Sequence, residues 1–582
     1  MLDSGLRVSP RIARRFTAAR HPWVCTLCRH ASSANRAPPT APRVDKPFYV
    51  TTPIFYVNSS PHVGHLYTLV LADILKRWQV LLGNANAQLL TGTDEHGMKI
   101  QQAAAAHGLE PKELCDQFCQ TFKDLSRKAN IDYNHFIRTT DPEHGDSVQY
   151  FWQMLDHRGY IYEAKHDGWY SVSDEAFYPS NAVHATLDPA TGRKIMSTIE
   201  TGKEVEWSSE TNYHFKLSAL TERLLDFYKQ NPDFIRPKKY MEDVVRFVSA
   251  GLTDLSISRP VHRLSWGIRV PGDERQTIYV WLDALVNYLT YTGYPFTPGK
   301  GNQSLWPANV HVVGKDIIRF HGVYWPAFLI ALDLPPPHHI LTHAHWTIGR
   351  EKMSKSTGNV VNPIYALTRF GIDPLRFYLA HDGGLSSDAD YENAFVTERY
   401  KKTLQWGLGN LTSRLVRSKK WNVRKSIEWG VGGYLPNPST ADQKHQELLE
   451  GIREVTKSHM DNLDPRKAAE SILSIIYETN KYFQESSPWS RAADHPDNQT
   501  PDKLGRVIFN TAESLRIAGI LLQPFMPEKA ARLLDMLGVA GDPGKRHFDA
   551  ARFGADADYG VSLVDLKKGT EATLFPPLLV ED

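Results

Sequence analysis

The sequence predicts an α/β fold: a parallel sheet with covering helices, split by an inserted module and followed by a part that is helical throughout. Three observations predict it. Strand, turn and helix signals alternate from residue 46 onward. That rhythm breaks off near Gly159 and returns at Val310. Beyond Tyr391 only helix-period signals remain.

Taken in order, Phe48–Thr52 reads as a strand, followed by a loop through Pro53 and Asn58-Ser59-Ser60-Pro61. A helix then starts near His62. Its apolar residues Leu66, Leu69, Val70, Ile74, Trp78 and Leu81 recur every three or four positions, and Gly83 suits its end. Gln88–Thr91 is a second short strand, running into the loop Gly92-Thr93-Asp94-Glu95-His96-Gly97. Between 159 and 258, aromatic residues and short turns replace this alternation, which reads as an insertion between two halves of one sheet. Val310–Val313 and Ile340–His343 resume the strands. Ala468–Phe483 and Val507–Leu522 are helical, and 494–501 and 541–560 are connections.

The chain has 582 residues, enough for about three to five domains. No uncharged apolar run reaches about 18 residues, so no helix is expected to cross a membrane. Net charge is +2, from 67 basic and 65 acidic residues; that balance neither demands nor forbids a nucleic-acid partner, which depends on local charge. The four cysteines, Cys25, Cys28, Cys115 and Cys119, are too few for a disulfide framework. Residues 1–44 carry eight arginines and one acid, Asp3, with many Ser, Thr and Ala and no long apolar run. Arg-rich, Ser-rich and acid-poor is the composition of an organellar transit peptide, and the arginine content favours the mitochondrion.

Two short motifs carry chemistry. His62-Val63-Gly64-His65 opens a helix after a strand and loop, which sets two imidazoles and the helix N–H groups beside an anion site. Gly64 lets a flat group approach the backbone. Lys352-Met353-Ser354-Lys355-Ser356 lies in a Ser/Gly-rich loop, where lysines three apart can neutralise charge growing on a departing polyphosphate. Alone, the first could be a pair of surface histidines and the second a solvated basic loop.

Together and in this order they resemble the HxGH and KMSKS signatures of class I aminoacyl-tRNA synthetases, whose catalytic domain is Rossmann-like. The active site of that family lies across the carboxyl ends of the parallel strands, as the crevice rule requires. The resemblance narrows to the methionyl-tRNA synthetase family through Thr51-Thr52-Pro53-Ile54-Phe55-Tyr56-Val57-Asn58, the Gly92–Gly97 loop, Tyr279-Val280-Trp281-Leu282-Asp283-Ala284 and Gly314-Lys315-Asp316-Ile317-Ile318-Arg319-Phe320-His321. Trp281, Ala284, Leu285 and Tyr288 share one helical face, and a thioether makes favourable contacts with aromatic rings.

The resemblance implies that Pro53, Ile54, Tyr56, Trp281, Ala284, Leu285, Tyr288, Ile317 and His321 line a methionine pocket, with Asp94 on the substrate ammonium. It implies that His62, Gly64, His65, Lys352 and Lys355 bind ATP, with both histidines and both lysines catalytic and Mg2+ accompanying the nucleotide. Asn410 and Arg414 share a helix face, and with Trp489 they resemble the family's anticodon-reading residues; a Trp can stack an unpaired base while Arg and Asn bond its edges. The implied partners are methionine, ATP and tRNA(Met), in the mitochondrial matrix. Where relatives carry zinc-binding cysteines, Ser171 and Asp174 stand here, so no structural zinc is expected. The chain ends close to the helical region's end, so a monomer is expected. The expected organisation is a transit peptide over 1–45, catalytic halves over 46–158 and 259–346, the inserted module over 159–258, the KMSKS and stem-contact region over 347–392, and a helical anticodon-binding domain over 393–582. The rival readings are a class I synthetase for leucine, valine or cysteine, and a catalytically inactive RNA-binding relative.

Overall fold

A computed structural model of the chain describes residues 46–578 apart from 173–175, 179, 189–190, 200–201, 297–304, 354–359, 495–499 and 568–572. The expected leader, Asp174 and Lys355 therefore lie outside the described residues.

Seven strands form one sheet: β1 (Tyr49–Thr51), β2 (Phe55–Tyr56), β3 (Gln88–Asp94), β4 (His135–Arg138), β5 (Ile235–Arg236), β6 (Val310–Gly314) and β7 (His339–His343). Their order in space is β5-β7-β6-β1-β3-β4, with β2 paired to the end of β3, and every pairing is parallel. Adjacent residues of each strand enter different cores: Val50, Leu89, Val312 and Leu341 one, Tyr49, Leu90, Val313 and Ile340 the other. Burial on both faces is why these strands are runs of apolar residues rather than alternations.

From β1 the chain moves outward to β3 and β4, whereas β6 and β7 lie on the other side of β1. The sheet therefore has a topological switch point between β1 and β6, and the crevice opens at their carboxyl ends.

Two details differ from the sequence reading. The strand expected to stop at Thr91 runs on to Asp94. Gly92 sits inside it, opposite Ile137 of β4, where a Cβ would lie 2.0 Å from the Ile137 carbonyl oxygen. The glycine serves a close strand approach, not a turn. In addition, β5 falls within the range read as inserted, yet Ile235 and Arg236 pair with Ile340 and Leu341 of β7. The antiparallel part of that range is built on Ile161–Ser171 and Glu204–Phe215. The buried Arg259 joins it to the second half of the sheet, its guanidinium 5.1 Å from the Tyr170 ring and 4.9 Å from the Tyr279 ring.

Helix α1 (Val63–Leu81) covers one face of the sheet, and α2 (Val280–Thr290) lies in the core of the other. The core containing α1 continues into the C-terminal helices, α4 (Thr440–Asp461), α5 (Pro465–Ser486), α6 (Lys503–Leu521) and α7 (Pro527–Leu537). Between them, α3 (Ile372–Asp382) supplies the fully buried Arg376. Its Nη2 donates to Asp73 Oδ2 of α1 at 2.5 Å and to the Pro524 carbonyl at 3.2 Å. Asp73 also accepts from Arg77 and from the Asp132 N–H. Burial alone would raise this carboxyl; the two guanidiniums outweigh that and hold it below the usual range. Removing one partner from such a pair costs about 3–5 kcal/mol.

Among the described residues no helix is long and apolar enough to cross a membrane.

Candidate active site and anticodon face

The carboxyl ends of β1, β3, β6 and β7 surround a cavity of about 370 Å³. Its walls bring together Pro53, Ile54, Tyr56, Asp94, Trp281, Ala284, Leu285, Tyr288, Ile317 and His321 with His62, Gly64 and His65. The residues expected to hold methionine and the histidine-motif residues expected to hold ATP thus line one cavity. Of the KMSKS loop, Met353 reaches the cavity wall, and Lys352 ends a short strand, Glu351–Lys352.

The histidine motif is a helix cap. The His62 Nδ1 accepts from the Gly64 N–H at 3.0 Å, and the His65 Nδ1 accepts from the His62 N–H at 3.0 Å. This is the reciprocal arrangement of a capping box, made by two imidazoles instead of a hydroxyl and a carboxylate. A ring that accepts at Nδ1 carries its proton at Nε2. Both rings thus have Nε2–H donors, their centroids 3.9 Å apart, at the positive end of α1. The glycine between them has a reason that the sequence did not reveal. A Cβ on Gly64 would lie 2.8 Å from the His62 Cε1, so any larger residue displaces that ring. The Val63 N–H donates to the Val361 carbonyl at 3.3 Å, tying the helix start to the segment just after the KMSKS loop.

The aromatic wall is neutral. The Tyr288 hydroxyl and His321 Nε2 are 2.7 Å apart, and His321 Nδ1 is 3.0 Å from the Ile317 carbonyl. A carbonyl only accepts, so Nδ1 carries the proton and Nε2 accepts from Tyr288. Burial pulls His321 down to about 4, which keeps it uncharged at neutral pH. Trp281 is stacked on Phe320, centroids 3.6 Å apart.

Asp94 ends β3 and is buried at the cavity wall. The loop after it is fixed by Glu95, which is fully buried and takes a forked pair of bonds from Arg138 at 2.7 and 2.9 Å. Thr93 and Thr140 add hydroxyl bonds to the same carboxylate. One residue on, His96 Nδ1 lies 2.7 Å from Asp283 Oδ2, and His144 Nε2 lies 2.7 Å from Asp283 Oδ1. Burial would raise Asp283; the two imidazoles outweigh it and hold the carboxyl below its ordinary range. Asp283 belongs to α2, so this contact fixes the helix that presents Trp281, Ala284, Leu285 and Tyr288 to the cavity. Sequence reasoning missed Glu95 and Asp283 as organising residues. The partners of Asp283 are 187 and 139 residues away, beyond any local pattern. It also missed Lys99, His343 and His345, which line the cavity with Gly314 and Asp316.

The second predicted site lies in the helical part. Residues 393–416 form one continuous helix whose middle, Tyr400–Gly409, is π-helical. Arg414 near its end packs its guanidinium 4.8 Å from the Phe483 ring and 5.4 Å from the Trp489 ring. Asn410 is exposed one turn before it. Arg414 and Trp489 therefore meet although 75 residues part them in sequence, because α5 carries Phe483 and the turn to Trp489 back to this helix.

No group of three or more His, Cys, Asp or Glu side chains able to hold a metal is present among the described residues; Ser171 is buried at a strand end.

A family model for class I tRNA synthetases (M) matches residues 48–416, and one for the anticodon-binding domain of methionyl tRNA ligase matches residues 435–553. A probable mitochondrial methionine–tRNA ligase of Neurospora crassa is 51% identical, over 97% of this chain and 92% of its own. The mitochondrial methionine–tRNA ligase of Homo sapiens is 41% identical, over 84% of each chain. Mycobacterium tuberculosis methionyl-tRNA synthetase in complex with methionyl-adenylate superposes with a TM-score of 0.81 at 37% identity, covering 91% of this chain and 100% of that one.

Proposed function

We propose how the site just described works in this chain, which belongs to the methionyl-tRNA synthetase family of class I aminoacyl-tRNA synthetases. The chain is a mitochondrial methionine–tRNA ligase: it activates methionine with ATP to methionyl-adenylate and pyrophosphate, then loads methionine onto tRNA. The observation that carries the residue assignment is the shared cavity. A neutral aromatic wall and a doubly capped helix terminus face the same space.

In the first step a methionine carboxylate oxygen bonds to the α-phosphorus of ATP, the bond to the bridging oxygen breaks, and pyrophosphate leaves. The Nε2–H groups of His62 and His65 and the α1 terminus hold the phosphates in line. Lys352 and Lys355 follow the pyrophosphate. No side chain becomes covalently modified, so catalysis is positioning and electrostatic stabilisation. Asp94 binds the substrate ammonium. Tyr288, His321, Trp281 and the aliphatic residues beside them enclose the thioether. In the second step a ribose hydroxyl of the terminal adenosine attacks the adenylate carbonyl and AMP leaves.

Mg2+ enters with ATP as part of the substrate, held through the phosphates, the usual mode for this ion. Asn410, Arg414 and Trp489 read the CAU anticodon of tRNA(Met). The enzyme works as a monomer in the mitochondrial matrix after loss of the 1–45 leader, without structural zinc.

ATP–pyrophosphate exchange with each amino acid tests the activation step. Exchange with methionine alone is expected; equal exchange with leucine would reject the pocket assignment.

A further inference from the structure

The helix that carries Asn410 and Arg414 has an outer face that the anticodon assignment leaves unused. Its largest exposed side chain is Trp406, 59% accessible. An indole this exposed is uncommon on a folded surface. It forms one wall of a groove of about 520 Å³ with Arg369, Lys401, Lys402, Thr397 and Glu398. Three cations face one carboxylate there, and that carboxylate already binds Lys402 at 2.6 Å.

The π-helical stretch decides where Trp406 points. In an α-helix each step of four residues advances about 40° around the axis. Four such steps would turn Arg414 nearly opposite Glu398. In a π-helix the bonds reach i+5, so four residues fall short of a turn and the drift reverses. Tyr400–Gly409 is π-helical, flanked by α-helix on both sides. Burial records the outcome: Glu398, Lys402, Trp406 and Asn410 are exposed and Arg414 is half-buried, whereas Tyr400, Leu404, Leu408 and Thr412 between them are buried. The exposed positions recur every four residues, and Trp406 is the one that precedes Asn410 on this stripe.

We propose that Trp406, with Lys401, Lys402 and Arg369, forms a further single-stranded RNA subsite continuous with the anticodon face, stacking an unpaired base of the anticodon loop that flanks the triplet. An exposed aromatic plane beside cations is what binds an unpaired nucleotide without reading its sequence. Occupancy orients the loop so that the triplet meets Asn410, Arg414 and Trp489. The inference rests on the anticodon assignment proposed above.

The test is binding of the full-length enzyme to an RNA hairpin with a CAU loop, by fluorescence anisotropy across a salt series. Far-UV circular dichroism and Tm check the fold of each variant. Trp406→Ala is expected to weaken binding about 10-fold, and Trp406→Phe to restore it to within about threefold. Lys401→Ala with Lys402→Ala is expected to lower the slope of log K against log salt by about one or more. An abasic nucleotide at the flanking position should weaken the parent enzyme but not Trp406→Ala. Trp489→Ala separates the two readings. If it weakens binding while Trp406→Ala stays within about twofold of the parent, the subsite is refuted and the anticodon reading survives. If neither variant weakens binding, both fall.

Discussion

The adenylation crevice and the proposed anticodon face solve opposite problems. The crevice gathers side chains from the ends of β1, β3, β6 and β7 and from α1 and α2, and it gives its buried polar groups partners from distant segments. His321 is neutral, Asp283 is clamped by two histidines, and Glu95 is saturated by Arg138 and two hydroxyls. The proposed anticodon face is one helix stripe joined by Trp489, with Asn410 exposed and Arg414 half-buried against the Phe483 and Trp489 rings. Chemistry at phosphorus gains from fixed dipoles in low dielectric. Recognition of an unpaired loop needs accessible planes and charge. One chain therefore invests contact order in the first site and helical periodicity in the second.

Substitutions at α1 should break this comparison most strongly. His65→Ala is expected to slow ATP–pyrophosphate exchange about 10²–10³-fold, the usual loss for a preorganised donor. Gly64→Ala should fall in the same range although it removes no functional group, because its Cβ would meet the His62 ring at 2.8 Å. A Gly64→Ala enzyme with normal exchange would show that the ring is free to shift. On the other face, Trp489→Ala is expected to lower kcat/KM for tRNA about 10–100-fold. Aminoacylation should lose at least about ten times more than exchange does. Equal losses would mean that Trp489 supports the crevice instead.

The smallest effect is on stability against pH. His321 in the crevice and His445 among the C-terminal helices are both pulled by burial to about 4 from an ordinary value of 6.5. Between pH 6.5 and about 4 the unfolded chain therefore holds protons that the folded chain does not. Unfolding free energy should fall as pH drops through that window, by up to about 1.4 kcal/mol per pH unit for each group. His445→Gln should flatten the slope and leave the pH profile of methionine KM alone, whereas His321→Gln should change both. Denaturant melts and KM measurements from pH 4.5 to 7 distinguish them.

Much of the catalytic site was legible because its pieces are short contiguous strings. HVGH, the Asp94 loop and the Trp281–Tyr288 segment stand out through their resemblance to family motifs, since spacing alone leaves a pair of surface histidines and a core helix face as open readings, and the strand–helix alternation predicted the sheet. What was not legible depends on contacts between distant segments. β5 is two residues long and has no period to detect; only its pairing with β7 reveals it. Gly92 reads as a turn residue until Ile137 is seen across from it. Asp283 is one acid in an apolar helix until His96 and His144 converge on it. The π-helical stretch leaves no compositional mark, yet it sets which side chains line up with Arg414.

The Tyr288–His321 pair has a consequence for the proteome. Its hydroxyl proton is given to the ring, and the ring proton lies against the Ile317 carbonyl. This pair therefore has no spare proton, and in the pocket proposed above it would sort side chains by bulk and softness. A selenoether should pass, with selenomethionine charged within about twofold of methionine. Methionine sulfoxide brings an oxygen that needs a donor, and should be charged at about a hundredth of the rate or less. An organelle that oxidises its free methionine would then slow its translation rather than write the damaged residue into new chains.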